Sequence, residues 1–76
     1  MLEIHLELDT CGLMCPLPLL RLKKALQMLE SGQVVRVLAT DPAAVLDFGV
    51  FLDQAGHHML ERGEEIGTLY FVIRKG

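Results

Sequence analysis

Two cysteines, Cys11 and Cys15, are the residues of this 76-residue chain with the most evident chemistry. A thiol acts as a nucleophile when it ionises, and the N-terminus of a helix lowers a cysteine pKa through its unpaired N–H groups and its dipole. Cys15 directly precedes Pro16, and Pro18 follows soon after. Both prolines fit the first turn of a helix, where a missing N–H costs little. We therefore predict a reactive Cys15 on a stiff turn at a helix start; a small apolar capping role is the alternative.

Cys11 is a second thiol on the same segment, four residues before Cys15. It has three interpretations: a small turn residue, a resolving thiol that attacks a persulfide or sulfenate on Cys15, or half of a reversible disulfide. The spacing is neither a Cys-x-x-Cys redox motif nor a typical zinc motif, so a metal site with His57 and His58 has weak support. We predict no metal site and favour the turn interpretation.

The hydrophobic pattern around these thiols predicts a strand followed by a helix. Apolar and polar residues alternate over residues 2–8, which indicates a strand with one buried face, ended by an Asp-Thr pair and by Gly12. After the prolines, four leucines recur at helical spacing: Leu19, Leu22, Leu26 and Leu29. Gly32 is placed to end this helix.

The second half of the chain repeats this order and then adds a hairpin. Residues 33–39 are rich in β-branched side chains, which favours a buried strand. The Thr-Asp-Pro run at 40–42 resembles a helix start, and Gly56 closes that helix. Strands over residues 57–65 and 68–73 follow. Asp41 and Asp47 are interpreted as helix-start residues that stabilise by capping and dipole alignment.

This order of elements, β-α-β-α-β-β, predicts the α/β (α+β) class. Right-handed crossovers place both helices on one face of a four-stranded mixed sheet, which is a two-layer sandwich. The length fits one domain over residues 1–76, with 51% apolar residues and a single core that buries about 60% of the unfolded surface.

Composition also limits the compartment and the partners. Two cysteines are too few for a disulfide-rich secreted scaffold, the first residues lack a signal-peptide pattern, and no apolar run approaches the roughly 18 residues of a membrane span. We therefore expect a cytoplasmic protein without membrane contact. A net charge of −3 opposes general nucleic-acid binding, although Arg21, Lys23 and Lys24 cluster within four positions.

One face of the first helix is a candidate docking surface. Leu17, Arg21, Lys24 and Met28 lie opposite the leucine stripe, and Leu20 is at the edge of this face. Exposed apolar groups beside basic ones are common at interfaces. We predict that partner proteins bind this face together with Leu13 and Met14; ordinary surface scatter is the alternative.

The chain resembles the TusA/SirA-like family of small sulfur carriers along almost its whole length. The residues that carry the resemblance are Asp9, Gly12-Leu13, Cys15-Pro16-Leu17-Pro18, Lys24-Ala25-Leu26, Asp41-Pro42-Ala43, Asp47, Gly56-His57 and the final strand through Lys75. The chain departs from the family pattern at Met14, often charged or polar in the family, at Gly49, often proline, and by its extra thiol Cys11. An apolar Met14 favours an apolar contact surface.

The resemblance implies a function in sulfur transfer. Cys15 would accept sulfane sulfur as a persulfide from a cysteine desulfurase or another donor protein and relay it to an acceptor protein, without a cofactor or metal. The chain would then be a sulfurtransferase that acts as a stoichiometric carrier. Two alternatives from other classes are a regulatory or RNA-binding module that uses the basic end of the first helix, and a thiol–disulfide switch of Cys11 with Cys15.

Overall fold

The computed structural model describes residues 3–76 of the chain. Its elements are β1 (Leu6–Thr10), α1 (Leu17–Gln27), β2 (Val34–Ala39), α2 (Ala43–Ala55), β3 (His58–Glu65) and β4 (Thr68–Arg74). The strands form one sheet in the order β1-β2-β4-β3, in which β1 is parallel to β2 and the other neighbours are antiparallel. The predicted order of elements, the α+β class and the four-stranded mixed sheet are confirmed.

A single apolar core joins the two helices to the sheet. Its fully buried members include Leu22 of α1, Phe48 of α2, and Val37 and Phe71 of the central strands. The rings of Phe48 and Phe71 meet edge to face, with centroids 4.8 Å apart. Each large side chain buried in this way contributes about 1.5–3 kcal/mol through removal of apolar surface from water. The core therefore fixes both helices against the sheet.

The parallel pairing of β1 with β2 brings the two strand-to-helix loops together. The last residues of the two strands, Thr10 and Ala39, are partners in the register. Because parallel strands end at the same edge of a sheet, the loop that leads into α1 lies beside the loop that leads into α2. Both cysteines of the sequence, Cys11 and Cys15, lie in the first of these loops.

The first strand begins and ends later than predicted. Leu2, where the predicted strand begins, lies outside the described residues, and β1 starts at Leu6. The imidazole Nδ1 of His5 accepts a hydrogen bond from the backbone N–H of Val34. At this position a side chain, and not the backbone of a strand, satisfies the N–H of β2. At the other end Thr10 continues the strand, because its side chain is fully buried and its hydroxyl donates to the carbonyl of Leu38 at 2.6 Å.

The predicted end of α1 at Gly32 is wrong, because the helix stops at Gln27. The backbone N–H groups of Met28 and Leu29 donate to carbonyls three residues earlier, which tightens the last turn and ends the α-helical pattern. Leu29 still reaches the core with 8% of its surface exposed. Gly32 instead adopts a positive φ of 90° in the turn that leads to β2.

The remaining predicted boundaries agree closely with the structure. Gly56 ends α2 in the left-handed conformation, as predicted. β3 starts at His58, one residue late, because the backbone N–H of His57 donates to the carbonyl of Leu52 and closes the helix. β4 extends one residue further than predicted, to Arg74.

Candidate functional site

Cys15 is exposed on the loop between β1 and α1, directly before the helix. Pro16 is the residue that precedes the first helical residue, Leu17, and Pro18 lies in the first turn, where it is buried. The Cys15-Pro16 peptide bond is cis. The two prolines thus occupy the start of α1, which is where the spacing predicts them.

Two hydrogen bonds fasten this loop to the neighbouring loop between β2 and α2. The backbone N–H of Gly12 donates to the hydroxyl of Thr40 at 2.8 Å, and Gly12 has a φ of 82°, a conformation that side chains rarely adopt. The backbone N–H of Cys15 donates to Oδ2 of Asp41 at 2.6 Å. The other oxygen of Asp41 accepts the N–H of Ala43, the first residue of α2, at 3.0 Å. Asp41 therefore satisfies a helix-start N–H, as predicted, and also holds the backbone of Cys15.

Asp47 is a site residue that the sequence interpretation missed. It is the fifth residue of α2, beyond the first turn, so its predicted place at the helix start is wrong. The thiol of Cys15 donates to Oδ2 of Asp47 across 3.1 Å. The only sequence signal for this contact is the presence of Asp47 in the family-like pattern, because 32 residues separate the partners and no local periodicity relates them.

The electrostatics at Cys15 are opposite to the sequence prediction. The hydrogen bond to the Asp47 carboxylate raises the pKa of the Cys15 thiol above its ordinary value of 9.0, and lost hydration and the negative charges of Asp47 and Asp41 add to this effect. The predicted lowering of the pKa by the helix start is therefore wrong. Pro16 and Pro18 have no N–H, and the N–H of Leu17 already donates to the carbonyl of Met14. Few free donors remain to stabilise a thiolate there.

Cys11 lies in a turn of its own, and both cysteines are free thiols. Its backbone N–H donates to Oδ1 of Asp9 at 2.9 Å. A hydrogen bond from the thiol to the same carboxyl raises the pKa of Cys11, and the bonds from Cys11 lower the pKa of Asp9. This geometry agrees with the turn interpretation. A resolving or disulfide-forming role for Cys11 stays a prediction.

The predicted docking residues lie on α1 and on the loop before it, and we name the exposed surface that they form the α1 face. The exposed fractions of its large apolar side chains are 74% for Met14, 45% for Leu17, 53% for Leu20 and 72% for Met28. Arg21 and Lys24 are exposed as well, whereas Leu13 is half-buried. The third basic residue of α1, Lys23, lies with its Nζ 5.2 Å from the ring centre of Phe51. The α1 face is thus accessible and basic, and its function in docking stays a prediction.

The histidines that a zinc site would require are far from the cysteines. His57 follows the C-terminal end of α2, whereas the thiol of Cys15 contacts Asp47, and the ten residues from Asp47 to His57 span about 15 Å of helix. Nδ1 of His57 accepts the backbone N–H of Gly76. Within residues 3–76, no group of three or more His, Cys, Asp or Glu side chains is arranged to hold a metal ion.

The helices in this part of the chain are too short or too polar to cross a membrane.

Comparison with known proteins gives consistent matches. The model of the family described as sulfurtransferase TusA matches residues 6–75. The sulfur carrier protein TusA of Allochromatium vinosum is 49% identical over 75 residues, which cover 99% of each chain. The putative sulfur carrier protein YrkI of Bacillus subtilis is 46% identical and covers 91% of this chain and 92% of its own. The crystal structure of a SirA-like protein from Desulfitobacterium hafniense superposes with a TM-score of 0.82 at 30% identity, covering 93% of this chain and 97% of the other.

Proposed function

This chain belongs to the TusA family of sulfur carriers, and we propose that it carries its sulfur as a persulfide on Cys15. The observation that supports this most directly is the position of Cys15: an exposed thiol on a loop that two hydrogen bonds hold against the neighbouring loop between β2 and α2. A carrier thiol has to be reachable by two proteins in turn and has to present sulfur in a defined direction. Gly12, Pro16 and Pro18 support the loop that does this.

The proposed transfer moves one sulfur atom without net oxidation. The sulfur of Cys15 attacks the outer sulfur of a persulfide on the donor protein, a cysteine desulfurase or another sulfur donor. A new S–S bond forms to Cys15, the S–S bond of the donor breaks, and the donor cysteine leaves with the electron pair as a thiolate. An acceptor thiol then removes the outer sulfur from Cys15 in the same way. This sulfur relay uses the chemistry of thiols and persulfides and requires no cofactor of the carrier.

The α1 face is the surface on which we propose that donor and acceptor bind. Its helix carries three basic residues, Arg21, Lys23 and Lys24, and no acidic residue. The exposed leucines and methionines of this face supply apolar contact area, and Met14 and Leu17 are close to Cys15 in sequence. A complementary partner surface therefore has an apolar centre with acidic residues around it.

We also infer a cytoplasmic location, since a reducing compartment keeps exposed thiols such as Cys11 and Cys15 free.

The intact mass of the protein after sulfur loading tests this function. The wild type, Cys15→Ser and Cys11→Ser are each incubated with a cysteine desulfurase, pyridoxal phosphate and cysteine, and a parallel set is treated with polysulfide. With the desulfurase we expect a reducible gain of one sulfur in the wild type and in Cys11→Ser, and no gain in Cys15→Ser. A wild type that gains no sulfur from either source would contradict the carrier function. Loss of the gain in Cys11→Ser would support a two-thiol mechanism instead.

A further inference from the structure

Two carboxylates border the sulfur of Cys15 on the side of α2. Oδ2 of Asp47 lies 3.1 Å from Sγ, and Asp41 holds the backbone N–H of the same residue. Both oxygens of Asp41 accept backbone hydrogen bonds, whereas the thiol of Cys15 is the partner that the structure shows for Asp47. The ion pairs found among residues 3–76 lie elsewhere and join His5 to Glu3 and Arg36 to Glu7. The ion pairs of the described residues therefore involve neither Asp41 nor Asp47.

Negative charge beside Sγ of Cys15 affects the step in which Cys15 accepts sulfur differently from the step in which it delivers sulfur. In thiol–disulfide exchange, a thiol with a lower pKa leaves faster, so a neighbouring anion that disfavours the thiolate slows its departure. When sulfur is delivered, the sulfur of Cys15 is the leaving group. We propose that the Asp47 carboxylate retains sulfur on Cys15 by making the Cys15 thiolate a poor leaving group. This inference rests on the proposed function, because it concerns the persulfide at that residue.

The reaction that Asp47 slows is the loss of sulfur to small thiols. A thiolate attacks the outer sulfur of the Cys15 persulfide, a new S–S bond forms to the attacking sulfur, and the bond between the outer sulfur and Sγ breaks. The electron pair stays on Sγ, which leaves as a thiolate at a distance of one hydrogen bond from Asp47 and then takes a proton from solvent. Atoms and charge balance without an oxidant. The barrier contains the repulsion between the new thiolate and the carboxylate.

An acceptor protein lowers this barrier if it places a positive charge beside the carboxylate of Asp47. A lysine, an arginine or a protonated histidine of the acceptor, placed against the carboxylate, would offset the repulsion while the sulfur leaves. Small cellular thiols such as glutathione bring a net negative charge and no such group in a fixed position. The carboxylate thereby distinguishes a docked acceptor from a thiol that arrives by diffusion.

The rate of sulfur loss from loaded protein tests the inference. Wild type, Asp47→Asn and Asp47→Ser, each in the Cys11→Ser background so that Cys15 is the thiol that is loaded, are treated with polysulfide, freed of excess reagent, and exposed to glutathione while the intact mass is followed. Attack on Sγ itself would leave a mixed disulfide, which the mass separates from the free thiol. Asp53→Asn is the matched control, because Asp53 is an exposed acid of the same helix that forms no hydrogen bond to Cys15.

We expect faster sulfur loss when the charge of Asp47 is removed. Because a thiol of lower pKa leaves faster, the loss of sulfur should accelerate severalfold when the carboxylate no longer disfavours the Cys15 thiolate. Asp53→Asn should lose sulfur at the wild-type rate. Equal rates in wild type, Asp47→Asn and Asp47→Ser would overturn the inference while the carrier function stands. If the wild type takes up no sulfur from polysulfide or from a desulfurase, the proposed function itself fails.

Discussion

Asp41 and Cys15 connect the two strand-to-helix loops directly, since the carboxylate of Asp41 accepts the backbone N–H of Cys15 at 2.6 Å. The same carboxylate also accepts the N–H of Ala43 at the start of α2. One side chain therefore connects the position of Cys15 to the position of the helix that carries Asp47. This relationship explains why the loop of Cys15 is held although the residue is exposed.

The first prediction concerns removal of this connection. Asp41→Ala leaves the N–H groups of Cys15 and Ala43 without their protein acceptor, so the loop should move more freely and the start of α2 should lose its stabilising acceptor. We expect Tm to fall by a few degrees and sulfur uptake from a protein donor to become slower. Differential scanning calorimetry and intact-mass time courses measure these effects. Asp53→Ala is the control. If Asp41→Ala has the same Tm and the same rate of sulfur uptake as Asp53→Ala, the prediction is wrong.

The second prediction is a loss of stability in acid. Hydrogen bonds from backbone N–H groups lower the pKa of Asp9 and of Asp41 below the ordinary 3.8. A lowered pKa in the folded state stabilises the fold above the unfolded-state pKa, and this contribution is lost as the pH falls through the folded-state value. Unfolding by urea should therefore require less denaturant as the pH drops below about 3.8. Asp41→Asn should show a shallower decline, and an identical decline would exclude a contribution from Asp41.

The comparison of sequence and structure shows which features local patterns can predict. The periodicity of the leucines predicts α1, and the β-branched run predicts β2, because each pattern reflects a buried face of that element alone. The end of α1 depends on how the chain returns to the sheet, and Gly32 does not encode this. The contact between Cys15 and Asp47 depends on two loops that only the parallel pairing of β1 and β2 brings together. Residue types and spacing predict that Cys15 lies before a helix, but they do not predict the carboxylate beside its thiol.

The third prediction is an unusually weak acidity of Cys15. Its hydrogen bond to Asp47 raises its pKa above 9.0, so the fraction of thiolate at neutral pH should be smaller than for an ordinary exposed cysteine. The rate of alkylation by iodoacetamide, measured against pH in the Cys11→Ser background, should therefore reach its midpoint above pH 9.0. Asp47→Asn should move this midpoint downward. A wild-type midpoint below about pH 8 would mean that the N-terminus of α1 lowers the pKa of Cys15 by more than the carboxylates raise it, as at other cysteines that precede helices.

The fourth prediction concerns the support that the core provides for the site. Phe48 is fully buried beside Asp47 in sequence, and its ring packs against Phe71. Phe48→Ala should lower the free energy of unfolding by about 3–5 kcal/mol through lost burial and a cavity, which is a large part of the stability of a small domain. Leu46→Ala on the same helix is the control, because Leu46 is 71% exposed and should change stability by less than about 0.5 kcal/mol. Equal effects in urea titrations would mean that Phe48 is not a principal member of the core.

The fifth prediction separates docking from chemistry on the α1 face. Arg21 and Lys24 are exposed on this face, whereas Lys23 lies over the ring of Phe51. Reversing the charge with Arg21→Glu and Lys24→Glu should slow sulfur uptake from a protein donor, on the order of tenfold at low salt, because complementary charges accelerate association. Uptake from polysulfide should not change, since that reagent needs no docking surface.

The salt dependence gives this fifth prediction a second readout. Rising ionic strength screens exposed charges, so the wild-type rate with a protein donor should fall toward that of the doubly reversed variant. Lys23→Glu is the matched control on the same helix and should retain more of the wild-type rate, because its side chain is directed to Phe51. If Lys23→Glu slows uptake as much as Arg21→Glu or Lys24→Glu does singly, the net charge of the chain and not the α1 face determines association. If none of them slows uptake from any protein donor, the donor binds a different surface.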